Sequence, residues 1–357
     1  MFFDRFRDAV SRLPGGLIRP GPPAPPAALA AAEARFGRRL PAPFVSFLQS
    51  FDGADLFHEA VVVGGVGPAA PRRLSDLAPA DALDPDGPLV FAETLDGDRF
   101  AFRTDGAVLR RRGTAATSDD EVWLAGTAFE PWLDALIAHE RVLYGPDGEF
   151  SDDAFEPEGT EILPQVALRQ ADKALRLDPG AAELHHERGV ALRRLARDDD
   201  AKAAFTRATA LDPANPWSWF ELGRVALDAG VAGAREALDA FERAGRAESG
   251  EAGAQFWIWA ARAALVVGAP ERLAECRRQA LSRAPDLAGA LRRARDEAAA
   301  SDDPHELEEA QALLDGLEKA PGPGRARLAV VTEAAAELVK TEERVRPPVR
   351  TKTRRRP

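Results

Sequence analysis

Apolar positions along this chain follow two periods. Over residues 2–13, Phe2, Phe3, Phe6, Val10 and Leu13 share one side of a 3.6-residue helix. Prolines at 20, 22, 23, 25 and 26 then enforce an extended link, and Pro26 can open a helix because its missing N–H is an orphan in the first turn. Leu29, Ala32 and Phe36 form the next stripe, with Gly37 placed to stop it. A further helix is predicted from about Pro41 to Phe51, where Phe44, Phe47, Leu48 and Phe51 recur at offsets of 3, 4 and 7. Beyond Asp52-Gly53 the period falls to two. Runs at Ala60–Val63, Leu89–Ala92, Arg99–Arg103 and Ala107–Arg110, with turns at 95–98 and 104–106, predict an antiparallel meander. Between 54 and 88, Gly64, Gly65, Gly67 and five prolines predict a loose loop. A closing helix, Ala128 to Val142, turns Phe129, Trp132, Leu133, Leu136 and Ile137 inward.

An acidic stretch with three glycines and two prolines, 145–159, marks a boundary. The helical period then returns and holds to about residue 320. Leu-Asp-Pro occurs twice, Pro179 and Pro213 are 34 residues apart, and so are Gly189 and Gly223. Two unrelated residue types at one period signal a stacked array of helical hairpins. Such hairpins bury their apolar faces only against neighbours, so they serve as surfaces for other molecules. The expected fold is therefore an α+β domain, helices around an antiparallel sheet, followed by an all-α helical-hairpin array. Residues 1–145 form the first part, 146–159 a linker, 160–320 the repeats. After Pro321-Gly322-Pro323-Gly324 comes a possible extra helix within 321–343, and 344–357 is a basic tail disordered by composition.

On the 34-residue frame, Ala182–Pro213 resembles a tetratricopeptide repeat. Gly189 and Ala208 stand where short side chains let two antiparallel helices approach, with Leu192, Ala201, Phe205 and Pro213 in place. Asn215-Pro216 opens the next repeat as an N-cap and first-turn proline, and Trp219, Leu222 and Gly223 fit its first helix. Its second helix needs a two-residue insertion to align Ala237, Phe241 and Ala244. Trp257, Ala261, Ala264, Ala280 and Pro285 carry a third repeat, which has Arg277 where an aromatic is usual. Ile162–Leu177 reads as a lone second helix, and 287–299 with 304–319 as a degraded terminal pair that caps the array.

The resemblance implies that the first helix of each repeat lines a peptide-binding groove. That face is Glu183, His186, Val190 and Arg193, then Trp217, Phe220, Arg224 and Leu227, then Gln255, Ile258, Arg262 and Leu265. Three arginines among aromatics fit an acidic or C-terminal peptide, because guanidinium pairs bidentately with carboxylate. The asparagine of the carboxylate-clamp pattern is missing. The competing reading makes the arginines a solvated row and packs the aromatics against residues 1–150.

Residues 17–143 also resemble the SUKH superfamily, which contains bacterial toxin-immunity proteins and fungal cell-wall-synthesis regulators. The run Leu29–Pro41 (LAAAEARFGRRLP), Phe44, Phe47-Leu48 and Asp52-Gly53 carry the likeness. Asp96-Gly97-Asp98, Phe100, Phe102 and Phe129-Glu130-Pro131-Trp132-Leu133 continue it in the family's order. The resemblance implies a non-catalytic domain whose surface matches a toxin domain or a regulatory target.

Composition narrows the field. The chain has 357 residues, 45% apolar, and a formal charge of −11, while residues 344–357 hold seven basic and no acidic side chains. An acidic body disfavours nucleic acid except through that tail. Cys276 is the only cysteine, so no intrachain disulfide forms, which suits a cytoplasmic location. Asp4 and Asp8 interrupt any signal-peptide core, and no window supplies 18 uncharged apolar residues for a membrane span. Heavy use of Ala, Arg, Pro and Gly with little Lys fits a GC-rich bacterial coding bias.

Enzyme chemistry has little to stand on. His185 and His186 are adjacent, about 100° apart on a helix, and badly placed to share a metal. His139 is expected at an exposed helix end, and His58 and His305 stand alone. Cys276, beside Arg277 and Arg278, has no recognisable base. Gly64-Gly65-Val66-Gly67 lacks the lysine of a phosphate loop, and Asp96 and Asp98 read as turn residues. No catalytic residue, cofactor or metal site is expected. The chain reads as a non-catalytic protein binder of the toxin-immunity type, or alternatively as an intracellular tetratricopeptide scaffold or regulator unconnected with a toxin.

Overall fold

The computed structural model describes residues 3–77, 88–112, 121–157, 161–250, 252–301 and 304–319; the possible extra helix in 321–343 and the basic tail lie outside them. Helix α1 (Asp4–Arg12) buries Phe6 and is followed by strand β1 (Ile18–Pro20). Helix α2 (Pro26–Phe36) opens on its proline and stops where Gly37 takes a left-handed φ of 62°. Helix α3 (Ala42–Leu48) is shorter than its apolar stripe, and a final turn carries Phe51 into the core. The sheet runs β1, β2 (Ala54–Leu56), β3 (Val61–Val63), β4 (Leu89–Thr94), β5 (Arg99–Phe102), β6 (Val108–Arg112), β7 (Glu121–Gly126), all antiparallel and in chain order. Helix α4 (Leu74–Leu77) lies between β3 and β4, and α5 (Phe129–Glu140) follows the sheet. Phe44, Phe47, Phe91, Phe102, Phe129 and Trp132 interlock edge to face and stacked in the core, each burial contributing about 1.5–3 kcal/mol.

The meander is longer than the alternation predicted. Strands β1 and β2 are three residues each, too short to show a period, and both packed faces of β7 hide its alternation. The expected loose loop is tight throughout its described part. Asp52 Oδ1 and Oδ2 accept from the Val66 and Gly67 N–H groups at 2.6 and 2.7 Å. A Cβ on Gly65 would stand 2.4 Å from the Asp52 carbonyl oxygen, and one on Gly67 2.4 Å from its carboxylate, so the glycines exist for close approach.

Residues 145–157 fold back rather than dangle: Tyr144 bridges Phe150, Phe155 bridges Ile162, and Ala154 joins the same core as Phe3. Then come α6 (Pro164–Leu175), α7 (Ala182–Arg194), α8 (Asp198–Leu211), α9 (Pro216–Asp228), α10 (Ala234–Ala247), α11 (Gly253–Val267), α12 (Pro270–Arg283), α13 (Leu287–Ser301) and α14 (Pro304–Glu318). The pairs α7/α8, α9/α10 and α11/α12 make a tetratricopeptide-like array. The small positions act as predicted: a Cβ on Gly189 would meet the Phe205 ring at 2.5 Å, and one on Gly223 the Phe241 ring at 2.6 Å. A 3-10 turn, Gly230–Ala232, absorbs the irregularity in the second repeat.

Candidate functional site

Strand β7 ends the sheet, and an edge strand presents N–H and C=O groups that need partners. The repeat loops supply them. Asp178 accepts from Thr127 N–H at 2.8 Å and from Thr127 Oγ1 at 2.9 Å. Asp212 accepts from Leu124 N–H at 3.3 Å, and Asn215 Nδ2 donates to the Val122 carbonyl at 3.1 Å. Both aspartates belong to Leu-Asp-Pro, so the period that stacks the hairpins also delivers a carboxylate to the sheet edge twice. Before Pro285, Ala284 stands in the corresponding place and offers none.

Beneath that edge the first repeat's groove residues are closed over. Glu183, 4% exposed, accepts from Arg110 Nη1 at 3.0 Å and Arg112 Nη2 at 2.9 Å, while Arg110 also pairs with Asp98 at 2.7 Å. His139, predicted at an exposed helix end, is instead held here between Glu140 at 2.9 Å and Glu187 at 3.4 Å, because α5 packs on α6 and faces α7. Burial works against the His139 cation, but the two carboxylates outweigh it and push its pKa up to about 10. Burial likewise opposes the Glu187 anion, and His139, Arg110 and Arg112 overcome it to bring that carboxyl down to about 2. His186 lies between Trp123 and Phe205, with ring centroids 4.6 and 5.5 Å away, and its Nδ1 is 3.2 Å from Ser218 Oγ. Burial lowers its pKa to about 3, so it stays neutral. Arg110, His139, Glu140, Glu183 and Glu187 line a cavity of about 60 Å³, room for a water or two and not for a substrate. Val190 packs against the Leu192 and Phe205 cluster, and Arg193 pairs with Glu221 at 3.3 Å.

The later repeats present the same face differently. Trp217 meets Phe256 at 5.1 Å, Phe220 fits between Phe241, Phe256 and Trp259, and Leu227 is buried. Arg224 and Arg262 flank one indole: their guanidinium carbons lie 5.3 and 4.9 Å from the Trp259 ring centre. Helix α14 crosses this face. Its Glu309 stands 3.8 Å from Arg224, and Leu313 and Leu317 join the core that contains Ile258. Gly316 approaches α11 so closely that a Cβ would sit 2.9 Å from the Arg262 nitrogen. Arg277 Nε donates to the Gly316 carbonyl at 2.7 Å and Nη2 to that of Lys319, so the arginine standing in an aromatic's place satisfies the end of α14. Leu265 is half-buried against the same core, and Gln255 is exposed. Cys276 is fully buried, and burial pushes its thiol up to about 12.

The face drawn from the repeat frame is thus covered at both ends by the chain itself. Reasoning by position missed Arg110, Arg112 and Trp123 of the sheet, and Trp259 and Glu309. One signal pointed to the cover: α11, GAQFWIWAARAALVV, is apolar round nearly its whole circumference, which marks a helix with neighbours on every side. Among the described residues, no group of three His, Cys, Asp or Glu side chains is arranged to hold a metal, and no helix is long and apolar enough to cross a membrane.

No family model matches the chain, and no curated protein matches it. Among solved structures it is similar to MamA, at 18% identity and a TM-score of 0.33 over 44% of this chain and 90% of that one. It is also similar to MamA 41-end from Desulfovibrio magneticus RS-1, at 20% identity and 0.31 over 45% and 88%. A third is YrrB, described as a TPR protein with an unusual peptide-binding site, at 20% identity and 0.32 over 48% and 84%.

Proposed function

We propose that the chain is a non-catalytic, cytoplasmic protein-interaction scaffold whose first-helix face takes an acidic helical segment. One observation carries the reading: α14, which bears Glu306, Glu308, Glu309, Asp315 and Glu318, already lies there with Glu309 beside Arg224 and its leucines on the apolar floor. A helix with acidic flanks and a leucine ridge is therefore a shape the face accepts, and an incoming partner displaces α14 to reach it. The sheet, holding repeat 1 through buried ion pairs, fixes the other end of the array.

The test uses α14 in trans. A labelled peptide of residues 304–319 is titrated into the Gly316→Val chain, where the added side chain bars the close approach of the resident helix. Binding is expected, weakening about tenfold or more when Arg224→Ala and Arg262→Ala are added, which removes the Glu309 pair and the second cation beside Trp259. No binding, or binding indifferent to both arginines, overturns the reading.

A second reading rests on the SUKH resemblance of residues 17–143. Supporting it are α2, the Gly37 stop and α3 laid over an antiparallel sheet, with Asp52 securing the loop that follows. It makes the first part an immunity-type surface for a toxin domain. Retention of a toxin domain encoded beside this gene by the full chain, undiminished by Arg224→Ala, favours it over the repeat face.

A further inference from the structure

Where α1, α5 and the end of α6 meet, the surface opens into a groove of about 460 Å³. Its floor is apolar: Ala9, Leu13, Ile137, Ala138 and Leu177. Its rim is basic: Arg5, Arg12, Arg141, Lys173 and Arg176 oppose only Asp8 and Asp134. On a chain of net charge −11 this reverses the local sign. Arg12 and Lys173 sit in last helical turns, where a cation offsets the helix dipole, but Arg5 in a first turn gains nothing from that. Lys173 and Arg176 are exposed.

The two carboxylates of the groove are already engaged. Asp134, its side chain 9% exposed, takes Arg5 at 3.3 Å through Oδ2, and Asp8 takes Arg12 at 2.6 Å, so the cations left facing outward are Lys173 and Arg176.

We infer that this groove docks an acidic amphipathic helix of a partner protein. The partner's apolar ridge lies on Leu13, Ile137 and Leu177, and its flanking carboxylates face Arg12, Lys173 and Arg176. Charge complementarity selects this occupant, since five cations face two carboxylates across the groove and a basic or neutral helix offers the exposed Lys173 and Arg176 no counter-charge. The site shares no element with the repeat face proposed above, and a partner here touches the α+β part and the array together.

The experiment measures fluorescence anisotropy of synthetic helical peptides, about four turns long, against the full chain. All carry one leucine ridge; one set is flanked by Glu, the other by Lys. The Glu peptide is expected to bind at least about tenfold more tightly, with an affinity that falls with salt. Arg12→Glu with Arg176→Glu, both exposed, is expected to invert that preference. Bound peptide should slow amide exchange at 5–13, 134–141 and 173–177. No binding by the Glu peptide, equal binding of both, or indifference to the charge reversal overturns the inference. Tighter association with phosphatidylserine vesicles than with the Glu peptide overturns it in favour of a membrane surface. Binding lost through Arg224→Ala and Arg262→Ala but kept in the Arg12→Glu, Arg176→Glu chain places the peptide on the repeat face and also sinks this site.

Discussion

The first-helix face is covered in two ways, and the two ends of the array respond to different physics. Over repeat 1 the cover is ionic: Glu183 between Arg110 and Arg112, Glu187 against His139, and repeated aspartates on the edge of β7. Over repeat 3 the cover is apolar and close, with Gly316 on α11 and Leu313 and Leu317 on the Trp259 side of the core. A buried ion pair adds little net stability over an apolar equivalent, yet removing one member leaves a stranded charge. An apolar cover yields in proportion to the area lost and can be replaced by another helix of similar ridge. The ionic end is therefore the one a single deletion breaks, and the apolar end is where the partner proposed above enters.

That contrast is broken most strongly at Glu183. Glu183→Ala takes from Arg110 and Arg112 their shared buried carboxylate, leaving them Asp98 and Glu187, and is expected to cost about 3 kcal/mol in urea unfolding. A loss under 1 kcal/mol would mean that water already serves those arginines.

The next effect is in pH. His139 has its folded pKa raised to about 10 from 6.5, so its stabilisation is complete below pH 6.5 and is lost as pH rises through 10. Glu187, lowered to about 2 from 4.5, contributes fully above pH 4.5 and loses that as pH falls through 2. Unfolding free energy should drop by on the order of 1–3 kcal/mol between pH 7 and 10. His139→Gln should flatten that decline. An equally steep fall in the variant would place the titration elsewhere. The α14 end, with no such group buried at its contact, should show little alkaline change in its own amide protection.

The smallest effects separate the two edge aspartates. Asp178→Ala removes two hydrogen bonds to Thr127 and should cost about 1–2 kcal/mol; Asp212→Ala removes its one, longer bond to the sheet, at Leu124, and should cost about 0.5–1 kcal/mol. Amide exchange at Thr127 and Leu124 should quicken in the matching variant. Equal costs would show that the edge is held as a unit.

Much of the architecture was legible from periodicity. The helical stripe at Phe44, Phe47 and Leu48, the 34-residue phase of Gly189 with Gly223, and the Asn215-Pro216 start are local signals, and each lies where the pattern put it, though the first helix stops at Leu48 and a turn carries Phe51. Strands β1 and β2 escaped because three residues carry no measurable alternation. The glycines at 64, 65 and 67 suggested looseness, since glycine marks both mobile loops and backbone crowded by a neighbour, here Asp52. The period of α5 alone puts His139 at a free helix end; α6 packed on that helix and Glu187 of α7 beside the ring are long-range neighbours. The all-apolar girth of α11 was the one local hint that another helix lay over the repeat face.

What the amino-acid order determined by itself was the menu of elements and their stacking phase, since helix and strand preferences, caps and hairpin contacts act over a few residues to a few tens. Only the tertiary structure decided what covers the repeated face. Glu183 meets Arg110 across 73 residues of chain, and no period links a carboxylate on one helix to a guanidinium on a distant strand. The repeated Asp of Leu-Asp-Pro reads the same in both loops; its partner depends on which strand the fold leaves at the sheet's edge.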